Sequence, residues 1–236
     1  MVRRFQSLVV AGFATALAFN AALAADPAIN WPTQAPIQVP ITELSSGWYL
    51  RGDIGYRVNT MAVPDTAVAI TSQKYDNTYV FGGGVGYKYQ WFRADLTVDY
   101  GVGASYHGTT ASPLTIYGAK IDATTVLANA YFDLGTWSGF SPYLGAGVGT
   151  SFLRVSDFAN VPSPGILIGP NGKWNFSWAG MAGVAFRVAP NWVIDVGYRY
   201  LNLGDAYSGQ DSIGVNTRFK NLSSQDIRIG VRFLLD

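Results

Sequence analysis

Between Gly47 and Arg57 the chain reads Gly-Trp-Tyr-Leu-Arg-Gly-Asp-Ile-Gly-Tyr-Arg, and its apolar side chains recur with a period of two. Trp48, Leu50, Ile54 and Tyr56 share one side, while Tyr49, Arg51, Asp53, Gly55 and Arg57 share the other. That period marks an extended strand with one apolar and one charged face; a helix would scatter both sets around its surface. Trp48 and Tyr56 close the two ends of the apolar face, eight residues apart. At about 3.3 Å per residue they are separated by roughly 26 Å along the strand, or about 20 Å along the axis of a barrel whose strands tilt by roughly 40°.

The same strand recurs. Tyr79, Phe81, Val85 and Tyr87 oppose Gly82, Gly84, Gly86 and Lys88; Phe92, Ala94, Leu96, Val98 and Tyr100 oppose Arg93, Asp95, Thr97 and Asp99. Slipping that third strand by one residue would put three charges on its apolar side, so its register is well specified. Thr124 to Leu134, Pro142 to Phe152, Asn175 to Val188, Trp192 through Tyr200, and Asp226 to Phe233 repeat the alternation, giving eight strands. In the fifth strand the face opposite Leu144, Ala146, Val148 and Phe152 carries Gly145, Gly147 and Gly149, which make room inside a narrow barrel for large side chains from other strands. Four long links, Val58 to Asn77, Gly101 to Asp122, Leu153 to Lys173 and Asn202 to Ser223, alternate with three short ones. Short turns at one end, long loops at the other and an even strand number are the pattern of a barrel that spans an outer membrane.

Composition agrees. Charged residues are only 13% of the 236, about half the share of a soluble domain. Beyond the first two dozen residues no run approaches the roughly 20 apolar residues of a membrane helix, so any crossing falls to strands that must close on themselves. There is no cysteine, hence no disulfide or thiol chemistry, and 16 basic against 15 acidic residues give no field that would attract nucleic acid. Arg3 and Arg4, the apolar stretch from Leu8 to Phe19 and Ala22-Leu23-Ala24 form an export signal over residues 1–24, with cleavage near Ala24. Pro27, Pro32, Pro36 and Pro40 predict a semi-rigid periplasmic leader over residues 25–46, ahead of a barrel over 47–236.

Alternation alone does not say which face points outward, because a lipocalin-like ligand barrel alternates equally well. The aromatic ends decide. Trp48/Tyr56, Tyr79/Tyr87, Phe92/Tyr100, Trp178/Phe186 and Trp192/Tyr200 are each eight apart on the apolar side, as two interfacial girdles require. The opposite side gathers Arg51, Asp53, Arg57, Lys88, Arg93, Asp95, Asp99, Asp133, Arg187, Asp195, Arg199, Asp226, Arg228 and Arg232. Turned inward, these charges pair across a lumen only wide enough for side chains to fill. The expected fold is therefore an all-β, eight-stranded antiparallel up-and-down transmembrane β-barrel with a filled polar lumen.

Gly47-Trp48-Tyr49-Leu50-Arg51-Gly52-Asp53-Ile54-Gly55-Tyr56 resembles the opening strand of the small outer-membrane barrel proteins of alphaproteobacteria. Pro142-Tyr143-Leu144-Gly145-Ala146-Gly147-Val148-Gly149 and Val196-Gly197-Tyr198-Arg199-Tyr200 are similar to later strands of that family. The resemblance covers Gly47 to Asp236. It implies an abundant surface protein and antigen, with some relatives hemin-binding and others adhesins. It also implies recognition by the barrel-assembly machinery, through Phe233 here, although Leu234-Leu235-Asp236 follow where such barrels commonly end on an aromatic residue.

Chemistry is sparse. His107 is the only histidine, placed by the alternation in a polar loop; by analogy with hemin-binding relatives it could ligate heme together with Tyr106 or Tyr117. Gly82 to Gly86 lacks the lysine and helix of a phosphate loop. Asp95 and Asp99 sit roughly 13 Å apart on a strand, too far for shared acid–base work. The expected function is a non-enzymatic outer-membrane surface protein, without cofactor or metal, that contributes to envelope structure and to extracellular interaction through four long loops. Its partners would be lipid, the assembly machinery and an unidentified extracellular ligand or host surface. A narrow porin for small polar solutes and a heme-binding receptor are the alternatives.

Overall fold

The computed structural model describes residues 46–60, 63–65, 70–110, 116–161, 170–210 and 216–235. The expected export signal and all but the last residue of the proline-rich leader lie outside them. Ten strands follow one another: β1 (Gly47–Asn59), β2 (Val63–Asp65), β3 (Ile70–Tyr75), β4 (Thr78–Tyr89), β5 (Phe92–Thr110), β6 (Ile116–Asp133), β7 (Phe140–Val161), β8 (Asn171–Ala189), β9 (Trp192–Gln210) and β10 (Asn216–Leu235). Eight of them, β1 and β4 to β10, pair antiparallel with their neighbours, and β10 pairs back onto β1 from Trp48↔Leu235 to Asn59↔Ser224. The sheet is a closed, eight-stranded up-and-down barrel.

Its facing follows the alternation. Trp48, Leu50, Ile54 and Tyr56 are exposed, whereas Tyr49, Asp53 and Arg57 are buried; on β5, Leu96 and Val98 face out while Arg93, Asp95, Thr97 and Asp99 face in. Narrow-bore packing explains the glycines. A β-carbon at Gly183 or Gly197 would collide with the hydroxyl of Tyr143, and one at Gly145 with the ring of Tyr131. Val98→Arg, which sets a guanidinium on the lipid face, should destabilise the barrel by about 2–4 kcal/mol. Lys120→Ala, on an exposed site above the membrane, should change little. Urea midpoints in lipid vesicles check both, and equal tolerance would contradict the facing.

The links differ from expectation. Most residues of the four expected loops are strand: β5 runs ten residues past Tyr100, to Thr110, and β7 continues past Phe152 to Val161. The first link contains β2, paired to β10, and β3, paired to β5. Of the three later links, 111–115, 162–169 and 211–215 lie outside the described residues. The cause is a change of solvent. Tyr100, Thr124, Phe152 and Trp174 form one register row across β5 to β8. Below it the inward side chains are polar, such as Asp99, Thr125 and Ser151; above it the same inward positions of β6 and β7 hold Ala123, Ile121, Leu153 and Val155. Outward positions turn polar there, with Lys120 and Arg154 exposed. Lipid demands apolar-out, and water demands apolar-in. A nine- or ten-residue extension at about 3.3 Å per residue and roughly 40° tilt rises about 23–25 Å above that row.

Candidate functional site

The inward charges form two groups. The larger is an unbranched ladder of alternating sign: Arg57, Asp226, Arg199, Asp99, Arg228, Asp53, Arg51, Asp95. Arg57 Nε donates to Asp226 Oδ1 at 2.8 Å, and Arg199 grips Asp226 Oδ2 at 2.8 Å and Asp99 Oδ2 at 2.7 Å. Arg228 then joins Asp99 to Asp53, while Arg51 bridges Asp53 at 3.4 Å and Asp95 at 2.9 Å. Asp95 also accepts from Tyr49 Oη (3.0 Å) and Asn129 Nδ2 (2.8 Å). Four cations meet four anions. Charges taken out of water this far are tolerated only when each is paired and hydrogen-bonded, and here every rung satisfies that condition.

The smaller group lies toward the short-turn end. Asp133 accepts from Lys88 Nζ at 2.6 Å and Arg93 Nε at 2.9 Å, and Arg232 Nε donates to Asp195 at 2.6 Å. Arg93 lies between the rings of Tyr131 and Tyr143, at 4.7 and 4.8 Å from their centroids. Arg187 is half-buried and joins neither group. Tyr49, Tyr131 and Asn129 belong to these networks; they lie on the polar parity, which was the one signal that could have found them.

Apolar side chains also cluster inside the bore, toward each end. Toward the short turns, Tyr49, Tyr131, Tyr143, Ala185, Val193 and Leu234 pack together. Above the ladder a larger cluster includes Tyr106, Ile121, Leu153, Leu203, Phe219 and Leu222. On the register row of Asp99, beside the ladder, Thr125 and Ser151 share a hydroxyl hydrogen bond of 2.9 Å, and Ser177 donates to Ser151 at 2.7 Å.

On the outside, the expected aromatics are exposed and several pack in pairs. Trp48 packs edge-on to Tyr87 (5.4 Å) and Tyr56 to Tyr79 (5.6 Å); Trp178 meets Tyr200 (5.4 Å), and Trp192 meets Phe233 (4.9 Å). Phe92, Tyr100 and Phe186 are exposed on the same surface. Tyr89, Trp91, Trp137, Phe140, Trp174 and Phe176, outside the expected set, add to it.

Above the membrane the ring divides. The β8–β9 ladder ends at Trp178↔Asn202, although both strands continue for several residues, and among the described residues no ladder joins β2 to β3. Two sheets result, β3-β5-β6-β7-β8 and β9-β10-β2, facing each other across the upper apolar cluster. Gly204 (φ 79°) and Asn221 (φ 54°) bend β9 and β10 at the division. The left-handed backbone suits glycine best and asparagine next. Carboxamides stitch the open seam: Asn175 Nδ2 donates to the Asp205 carbonyl at 2.8 Å and Asn171 Nδ2 to that of Ser208 at 3.0 Å. Burial opposes ionisation of Asp205, yet the Asn221 N–H and the Arg218 guanidinium hold its carboxyl below the usual range.

His107 is not in a loop. It sits in β5, paired with Lys74 and Gly118, and is exposed. Strand alternation sends Tyr106 the other way, into the upper cluster, where its hydroxyl donates to Gln73 Oε1 at 3.2 Å. The two cannot face one ligand. Tyr117 lies in β6, and its side chain is outside the described residues. No group of three or more metal-ligating side chains occurs among the described residues.

The sequence matches the family described as "Outer membrane protein beta-barrel domain" over residues 9–231. A Brucella suis protein is 32% identical, the alignment covering 85% of this chain and 82% of its own. A Rickettsia prowazekii protein named as a candidate adhesin is 26% identical over 80% of this chain and 88% of its own. Among solved structures, Neisserial surface protein A superposes with a TM-score of 0.52 at 22% identity, covering 80% of this chain and 98% of that one, a likeness of fold. With a closed barrel whose outer face is apolar and rimmed by aromatics, and a family match over nearly its whole length, the chain belongs to the outer membrane protein beta-barrel domain family and is an outer-membrane protein.

Proposed function

We propose that this protein is a sealed outer-membrane anchor that carries an extracellular β-structure for contact with a ligand or host surface and adds to the mechanical integrity of the envelope. The observation that carries the reading is the change of facing above the row of Tyr100, Thr124, Phe152 and Trp174: from there the strands build a water-exposed body with its own apolar interior. A conduit would not need such a body, and a display platform does. The naming of a Rickettsia relative as a candidate adhesin supports the same direction. Delivery would use the export signal over 1–24, cleaved after Ala24, and assembly would read Phe233. The leader over 25–46 would remain in the periplasm.

Two experiments test this. Bacteria displaying the protein should adhere to host cells or matrix more than those lacking it, and replacing 111–115, 162–169 and 211–215 by Gly-Ser linkers should abolish the gain while the folded barrel persists. Adhesion unchanged by all three replacements would remove the display role. In planar bilayers the protein should give no stepwise current, because ion pairs and two apolar layers fill the bore. Reproducible channels that Arg93→Ala or Asp95→Ala enlarges or abolishes would establish a narrow porin instead.

A further inference from the structure

Above the membrane, the β9-β10-β2 sheet is untied from its neighbours along both long edges. Elsewhere in the ring a backbone ladder of regularly repeated hydrogen bonds fixes each strand to the next. On the β8 side that ladder stops at Trp178↔Asn202, and residues 171–177 of β8 run on beside β9 without a rung. On the β2 side, among the described residues, no rung reaches β3. Three side chains at alternate positions of β8 cross the first gap instead. Asn171 and Asn175 donate their carboxamide N–H groups to the carbonyls of Ser208 and Asp205, and Lys173 Nζ lies 4.2 Å from the centre of the Tyr207 ring. Side chains rearrange by fast single-bond rotations, so this seam yields where a ladder would hold.

The sheet bends at its base and is stiff above it. Gly204 and Asn221, the two left-handed residues, flank the Leu222↔Gly204 rung, and the β9–β10 register shifts on both sides of Leu222. Above them Asp205 accepts from the Asn221 N–H at 2.9 Å and from the Arg218 guanidinium, Phe219 pairs with Ala206, and β2 pairs with residues 218–220. A stiff element joined to its support by two adjacent bends, with both edges unladdered, has the construction of a hinged element. We propose that β9-β10-β2 above Gly204 and Asn221 is a flap that swings outward on those two residues and opens along the β8–β9 seam. The swing takes Ala206 and Phe219 out of the cluster they share with Tyr106, Leu153 and Val155, and so opens an apolar cleft to the extracellular side. Burial of those side chains makes the shut form the resting one. The flap goes beyond the display role: a rigid upper body would present a surface equally well, so failure here leaves that role intact.

The chain has no cysteine, so paired spin labels attach only where cysteines are introduced. The full chain, folded in lipid nanodiscs, carries one label at Arg154→Cys on β7 and one at Lys220→Cys on the flap. Lys74→Cys with Arg154→Cys, both on the β3-β5-β6-β7-β8 sheet, is the rigid control. Pulsed electron–electron resonance should give one narrow distance for the control pair. The 154–220 pair should show a second, longer distance, whose share at least doubles when Asn171→Ala and Asn175→Ala remove the carboxamide stitches. A single narrow 154–220 distance, with and without the stitches, would overturn the flap. Equal broadening of both pairs would overturn it too, because the upper body would then be loose as a whole. If the variant without stitches loses the unboiled gel mobility of the folded barrel, the comparison of the two pairs with both stitches intact decides alone.

Discussion

Arg199→Met should lower the stability of the folded barrel by about 3–5 kcal/mol, the cost of removing one partner from a buried ion pair. Arg199 is buried and, among the described residues, is the single rung that joins Asp226 to Asp99. Without it the ladder falls into two pieces. Arg57 with Asp226 remains neutral, but Asp99, Arg228, Asp53, Arg51 and Asp95 are left with three anions and two cations. The compensating change therefore belongs at Asp99 and not at Asp226: Arg199→Met with Asp99→Asn should regain part of the loss, whereas Arg199→Met with Asp226→Asn should be worse than the single variant, since it also strips Arg57. Urea titration, read from the fraction that keeps its unboiled gel mobility, measures all three. Equal midpoints for the two double variants would mean that the rungs are independent pairs, without a continuous chain of charge.

Phe219→Ala should cost a similar amount, about 3–5 kcal/mol, but in a different place. Phe219 is wholly buried in the upper cluster, its ring 5.4 Å from that of Tyr106. It belongs to the β9-β10-β2 sheet and Tyr106 to the other, so the contact ties the two sheets together above the membrane. Amide exchange should accelerate in Gly101–Thr110 of β5 and Asn216–Ser223 of β10, and protease should cut there, while residues 92–100 and 226–233 stay protected and the boiled and unboiled bands still differ. Loss of protection along the whole of β5 would show that the upper structure has no separate core.

The membrane-embedded half was legible because lipid enforces one rule on every strand: apolar out, aromatic at both ends, polar in. Trp48 to Tyr56 states that rule within nine residues, and Phe92 to Tyr100 repeats it. The upper half obeys the opposite rule, so the alternation of β6 and β7 changes phase at Thr124 and Phe152 although neither strand stops there. On β5, β9 and β10 bulges near Gly101, Gly204 and Leu222 shift the inward parity as well. A reading based on one phase takes both events for the end of a strand, which places His107 in a loop. The inward charges could be named from parity, but their partners could not: Arg228 meets Asp99 across 129 residues and Arg57 meets Asp226 across 169, and only the closed ring brings them together.

Between the bulges, inward and outward sites alternate along the extended hairpins, so their height changes in even steps without altering the facing, or in a single step where a further bulge absorbs the odd residue. Two residues added to each arm of the β5–β6 or β7–β8 hairpin would raise its tip by about 5 Å along the barrel axis and keep every interior side chain interior. Without such a bulge, a single added residue would turn that arm inside out from the point of insertion. A lineage under pressure to reach farther from the cell, or an engineer grafting a binding segment onto a tip, thus has two routes: insertions in pairs, or a single residue taken up by a bulge like the one near Gly101.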